Sequence, residues 1–155
     1  MGSYVEFLNI IIDCVDKQGW AIMPIFGENV RFCYTIGLWQ NYKHPEIIMV
    51  GLPMELSSNT LSFAACQIQH SKKVYQPDIE YFEEFFENSK TIFKPVAKSN
   101  YDYYFGMALR YYGNIEVPPL QLFWQNENGE YPWNATVDFS EQPDLSIDFK
   151  VENVK

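Results

Sequence analysis

Between residues 20 and 52 the chain carries three extended, apolar segments in succession, with no helical segment between them. Trp20–Phe26 is apolar, Gly27-Glu28-Asn29 reads as a turn, and Val30–Leu38 is rich in β-branched and aromatic residues, so the first two segments form a β-hairpin. Glu46-Ile-Ile-Met-Val-Gly-Leu52 is a short continuous apolar run bounded by turn signals, the pattern of a strand buried on both faces. A doubly wound parallel sheet needs a helix between successive strands, so this run of strands excludes it.

Helical periods flank the strands. Ser3 and Glu6 form a capping-box pattern, and Val5, Leu8, Ile12 and Val15 recur at helical spacing, widened by Phe7 and Ile11, up to Gly19; this predicts a helix over 4–18. Pro53 opens a second helix over 54–70 through Leu56, Leu61, Ala64, Ala65 and Ile68. Asp78 is a candidate N-cap for a third, to about Glu87, with Glu80, Glu83, Glu84 and Glu87 on one face and Tyr81, Phe82, Phe85 and Phe86 on the other. Thr91–Ala97 reads as an edge or bulged strand because Pro95 lies inside it. Tyr101–Tyr112 is helical in period and stops at Gly113, and Val117–Trp124 is a strand entered through Pro118-Pro119. The loop Trp39–Pro45 is polar. The expected architecture is a single α+β domain over 1–155 with a mixed, mostly antiparallel sheet and about four helices. Its core spans about 4–137, and an acidic segment, 138–155, adds an edge strand or dangles.

The charge balance limits partners. Eleven basic residues face 20 acidic ones, for a net charge of −9. Nucleic acid and anionic membranes both need basic surface, so neither is expected. No run reaches the ~18 apolar residues of a membrane span. The start carries Glu6 and Asp13 without a basic lead, so it does not read as a secretory signal. Cys14, Cys33 and Cys66 are an odd number without close spacing, which fits reduced thiols and a cytoplasmic setting.

Chemical signatures are sparse. Glycine-rich nucleotide motifs, zinc-ligand pairs and a nucleophile elbow are all missing, so no cofactor and no metal is expected. His44-Pro45-Glu46 is the best acid–base pair, His44 as general base and Glu46 as its orienter; the alternative is a strand-entry turn whose histidine bonds backbone. Arg31 and Arg110 each sit beside aromatics, where a guanidinium can clamp an anion and stack on a ring; ordinary surface ion pairs are the alternative. Phe, Tyr and Trp number 12, 11 and 4, together 17% of the chain, enough to furnish a core and a stacking site alike.

Tyr34-Thr35-Ile36-Gly37-Leu38 with His44-Pro45-Glu46 and Gly51-Leu52-Pro53, then Gly106-Met107-Ala108 with Tyr111-Tyr112, then Leu120–Trp124 with Gly129, Pro132-Trp133 and Gln142-Pro143, together resemble the bacterial family catalogued as domain of unknown function 4262. The resemblance runs over about residues 18–145. Members often read Pro-Asp where this chain has Gln125-Asn126, and Asp where it has Asn134. The resemblance implies a compact intracellular bacterial or phage protein and brings no reaction with it.

The reading that follows is a non-catalytic domain for a small planar, anionic ligand such as a nucleotide-like metabolite or signal, which a phage or bacterial defence protein would sequester. Its pocket would draw on Arg31, Tyr34, Thr35, His44, Arg110, Tyr111, Gln121 and Trp124. The alternatives are an interaction or inhibitor module that meets a basic protein surface with its acidic face, and an enzyme using His44 and Glu46. An aromatic-rich surface also leaves a homodimer open.

Overall fold

In the computed structural model, which describes residues 2–149 and side chains from residue 5 onward, one six-stranded sheet runs through the molecule in the order β1-β2-β3-β6-β5-β4. Its strands are β1 (Ala21–Phe26), β2 (Arg31–Ile36), β3 (Ile47–Val50), β4 (Glu80–Phe82), β5 (Lys90–Pro95) and β6 (Leu120–Phe123). Only the β3–β6 pair is parallel; the other four neighbours are antiparallel. The helices are α1 (Gly2–Gln18), α2 (Leu38–Tyr42), α3 (Met54–Ser71), α4 (Tyr101–Tyr104) and α5 (Gly106–Tyr112). The fold is thus the expected α+β domain with a mixed, mostly antiparallel sheet.

The sheet is covered on both faces, and the period-two alternation of its strands divides the core accordingly. Phe32, Tyr34 and Ile36 of β2 and Ile48 and Val50 of β3 pack towards α1, α4 and α5. Cys33, Ile47 and Met49 pack the other way, towards Leu61, Ala64, Ala65 and Ile68 of α3. Pro24 lies in β1, a sheet edge, where its missing N–H costs no ladder bond.

Several local expectations fail for identifiable reasons. Residues 78–87 are not a helix: β4 occupies 80–82 and a turn follows, closed by Glu83 N–H to Ser89 O at 2.9 Å. Glu80/Glu84 and Glu83/Glu87 are like charges four apart, which disfavours a helix, while Tyr81 and Phe85 gain packing on Tyr75 and Phe93. The continuous acidic helix face therefore does not exist. The 91–97 segment is not an edge, because β4 pairs outside β5, and Pro95 ends the strand. The 101–112 helix is two pieces, broken at Phe105, where the Met107 N–H is diverted to the Tyr34 hydroxyl at 3.0 Å. A five-residue helix, α2, stands in the loop of 39–45. The side chain of Ser3 lies outside the described residues.

Over its described residues, 138–149, the acidic segment neither dangles nor forms a strand. Over 138–149 it lies across the sheet end as an irregular strap, with Phe139, Gln142 and Leu145 buried; residues 150–155, with Glu152, lie outside the described residues. Two glutamines pin it reciprocally. Gln142 of the strap donates to Trp124 O at 2.8 Å and accepts from Trp124 N–H at 3.0 Å. Gln121 of β6 donates to Pro143 O and accepts from Leu145 N–H, both at 2.8 Å. Each amide supplies the donor and acceptor of a missing strand neighbour. At Gly51, φ is +100° and a Cβ would collide with Glu141 O, so only glycine lets the strap pass.

Candidate functional site

Among the described residues, Glu46 is the most heavily hydrogen-bonded buried side chain. It lies just before β3, and its carboxylate meets the N-terminus of α2. Oε2 accepts from Gly37 N–H and Trp39 N–H, both at 3.1 Å, and from the Tyr112 hydroxyl at 2.5 Å. Oε1 accepts from the Thr35 hydroxyl at 2.7 Å and Leu38 N–H at 3.3 Å. A helix start presents unpaired N–H groups and a partial positive charge, and here a carboxylate from eight residues downstream fills that place. Gly37 has φ +108°, the conformation that turns its N–H towards Glu46. Burial pushes the Glu46 carboxyl up from the usual carboxylate range, while the hydroxyls of Tyr112 and Thr35 and the α2 amides oppose that shift. Beside it is a cavity of about 20 Å³ walled by Trp39, Phe105, Ala108, Tyr112 and Ile115, room for about one water.

His44 and Glu46 do not pair. His44 is buried, its Nδ1 is 2.8 Å from Pro45 O, and its Nε2 accepts from Tyr75 N–H at 3.1 Å. Those partners fix the neutral tautomer with the proton on Nδ1. Burial holds its pKa below the ordinary value. With both nitrogens committed to backbone, the ring has no lone pair facing a cavity, the geometry of the strand-entry alternative rather than of a general base.

The other residues singled out in the sequence are dispersed. Tyr34 is buried with its hydroxyl on Met107 N–H, and Thr35 also accepts from Ile47 N–H at 2.9 Å. Gln121 is occupied by the strap. Arg110 and Tyr111 lie on α5, where the Tyr111 hydroxyl donates to Gln40 Oε1 at 2.6 Å. Arg31 and Trp124 alone of the eight come together at a sizeable concavity, an open cleft of about 630 Å³ at the N-terminal end of α3. Arg31 Nε donates to Leu52 O at 3.1 Å, and Trp124 is held by Nε1–H to Val50 O at 2.9 Å. Leu52, Leu56 and Phe86 add apolar wall, and Glu127, Asp138 and Glu141 add carboxylates. No described cavity is lined by both arginines.

Sequence reasoning missed Tyr112 as the partner of Glu46 and the three acids of the cleft. Tyr112 carried a signal, as part of the Tyr111-Tyr112 pair. Asp138 and Glu141 carried none beyond their charge, because their place depends on the strap.

Thr35, Glu46, Tyr112 and Trp124 lie within one stretch of chain that matches a known family model. No curated protein and no solved structure matches. The family model is described as "Domain of unknown function (DUF4262)" and matches residues 14–138 of the 155; the chain belongs to that family.

Proposed function

We propose that this protein is a non-catalytic binding domain whose small ligand occupies the cleft between Arg31, Trp124 and the strap. The observation that supports this is the cleft itself. Its volume, about 630 Å³, falls in the range of small-molecule pockets, and its wall mixes apolar side chains with a few charges. The acid–base candidates His44 and Glu46 are both absorbed in internal bonds away from it.

The charges refine the ligand. Arg31 is the one basic residue of the lining, against Glu127, Asp138 and Glu141. A purely anionic ligand would meet three carboxylates for one guanidinium. A planar molecule that carries a basic nitrogen towards Asp138 and Glu141, an acceptor towards Arg31, and an apolar body against Leu56 and Phe86 fits better.

Native mass spectrometry of protein purified from cells tests this. The expected result is a reproducible non-covalent increment on the order of a few hundred daltons. A Leu56→Glu, Arg31→Gln variant, altered only at exposed positions, should fold normally and lose the increment. An apo mass for the natural chain that a screen of planar bases leaves unchanged, or an increment retained in the variant, overturns the reading.

A further inference from the structure

A second concavity lies at the opposite end of α3. It has a volume of about 350 Å³ and is lined by Asn41, Tyr42, Lys43, His44, Ile68, Lys72, Lys73 and Val74. The chain has nine lysines and a net charge of −9. Three of those lysines share this one wall, and no carboxylate lines it.

Two of the three stand where lysine is a costly choice. Lys43 ends α2 with φ +55° and Lys72 ends α3 with φ +57°, both left-handed. Glycine takes this conformation freely, whereas any residue with a Cβ is strained in it. Both helix ends keep a long cationic side chain instead, and both line the same cavity. One role for such lysines is to balance the helix C-termini, each about half a negative charge. Three ammoniums exceed that. Lys73 is 3.5 Å from Glu84, a neighbour outside the lining, which offsets one more charge. About one positive charge remains in a concave site. The local partners leave room: Lys72 Nζ donates to Gln69 O at 3.0 Å, Lys43 lies 5.1 Å from the centre of the Trp39 ring, and Lys73 lies over Tyr75 and Tyr81. An ammonium has three N–H donors, so each can share an anion with its present contact. His44 forms a neutral floor, its nitrogens already engaged.

We propose that this cavity is an anion site for a compact polyanion, a phosphate group either free or carried as an ester. The site is separate from the cleft of Arg31 and Trp124, and neither assignment depends on the other.

Calorimetric titration at low ionic strength, with inorganic pyrophosphate and with adenosine monophosphate as probes, tests it. The natural chain should bind at least one of them saturably at one site. A Lys43→Gly, Lys72→Gly variant should bind about tenfold more weakly or worse, as expected for loss of charge-assisted hydrogen bonds. Its melting temperature should hold or rise, because glycine relieves the strain. That combination separates a ligand role from a capping role. Lys73→Gln should weaken binding without touching either helix end, and Lys90→Gln should leave it unchanged. Tighter binding of the nucleotide assigns the site to esters, and tighter binding of pyrophosphate to the free anion. No saturable binding of either probe, or an affinity in the glycine and Lys73 variants equal to that of the natural chain, overturns the proposal.

Discussion

Removing the Glu46 carboxylate should be among the most damaging single changes in this protein. In Glu46→Ala, five donors lose their acceptor at once. They are not equally stranded. Gly37 N–H keeps the Tyr112 hydroxyl at 3.0 Å, and the two hydroxyls can rotate. The N–H groups of Leu38 and Trp39 have no such recourse, and Leu38 is fully buried. A buried donor left unpaired costs about 1–3 kcal/mol. The vacated volume adds to that, while the carboxylate's own desolvation cost disappears. The net loss is about 2–5 kcal/mol, from two stranded amides less the relieved desolvation. Glu46→Gln keeps the volume and the Oε1 side, yet its NH2 must face Gly37 N–H and Trp39 N–H, for a loss of about 2–4 kcal/mol. Urea unfolding measures both. The midpoint should fall with an unchanged m-value, and the melting temperature by about 4–20 °C. Exchange of the Leu38 and Trp39 amides should accelerate most. A loss below about 1 kcal/mol in both variants would refute the view that this carboxylate organises α2.

Three further outcomes are expected. His44 is held neutral by burial, so the native state binds fewer protons than the unfolded chain below the ordinary histidine pKa. Stability should therefore fall as pH drops through about 6.5, by at most ~1.4 kcal/mol per pH unit, and His44→Gln should flatten the slope between pH 7.5 and 5.5 in urea titrations; an unchanged slope contradicts the assignment. Gln142→Ala strands both backbone groups of Trp124, so it should cost about 1–3 kcal/mol and open the 138–149 strap to limited proteolysis before the sheet unfolds; uniform cleavage kinetics would argue against a pinned strap. Burial pushes the Cys33 thiol up to about 12, so iodoacetamide at pH 8 should spare it in the native protein while modifying the partly exposed Cys14 and Cys66; comparable labelling of Cys33 would show that β2 opens readily.

What was legible in the sequence is what local pattern alone determines. The three strands at 20–52 and the helices α1 and α3 follow from apolar runs and periods, because a sheet buried on both faces needs continuous hydrophobic strands. What was not legible depends on distant partners. A five-residue helix has little stability of its own, and α2 exists because Glu46 supplies its N-terminus from outside any capping-box spacing. Residues 80–87 have a helical charge pattern, but the rings of Tyr81 and Phe85 decide their conformation by packing on Tyr75 and Phe93. His44 and Glu46 were paired by proximity in sequence; because the backbone between α2 and β3 is irregular, neighbours there need not share a direction, and one side chain goes to Tyr75, the other to Tyr112.

The same distinction applies to the cleft. One wall, with Arg31 of β2, Leu52 before α3, Leu56 of α3 and Trp124 just after β6, lies within the matched family segment, residues 14–138. The facing wall is supplied by the strap, and Glu141 lies beyond that segment. The two walls are joined by Gly51, which admits the Glu141 backbone, and by the paired amides of Gln121 and Gln142. These joints use backbone groups of the strap at Glu141, Pro143 and Leu145, so they place few demands on the side chains at 138 and 141. The charge of the cleft can therefore change by substitution at Asp138 or Glu141 while the sheet, α2 and the Glu46 cluster stay as they are. In the proposed binding reading, Arg31, Leu56 and Phe86 stay fixed by the scaffold while the carboxylates at 138 and 141 are free to vary.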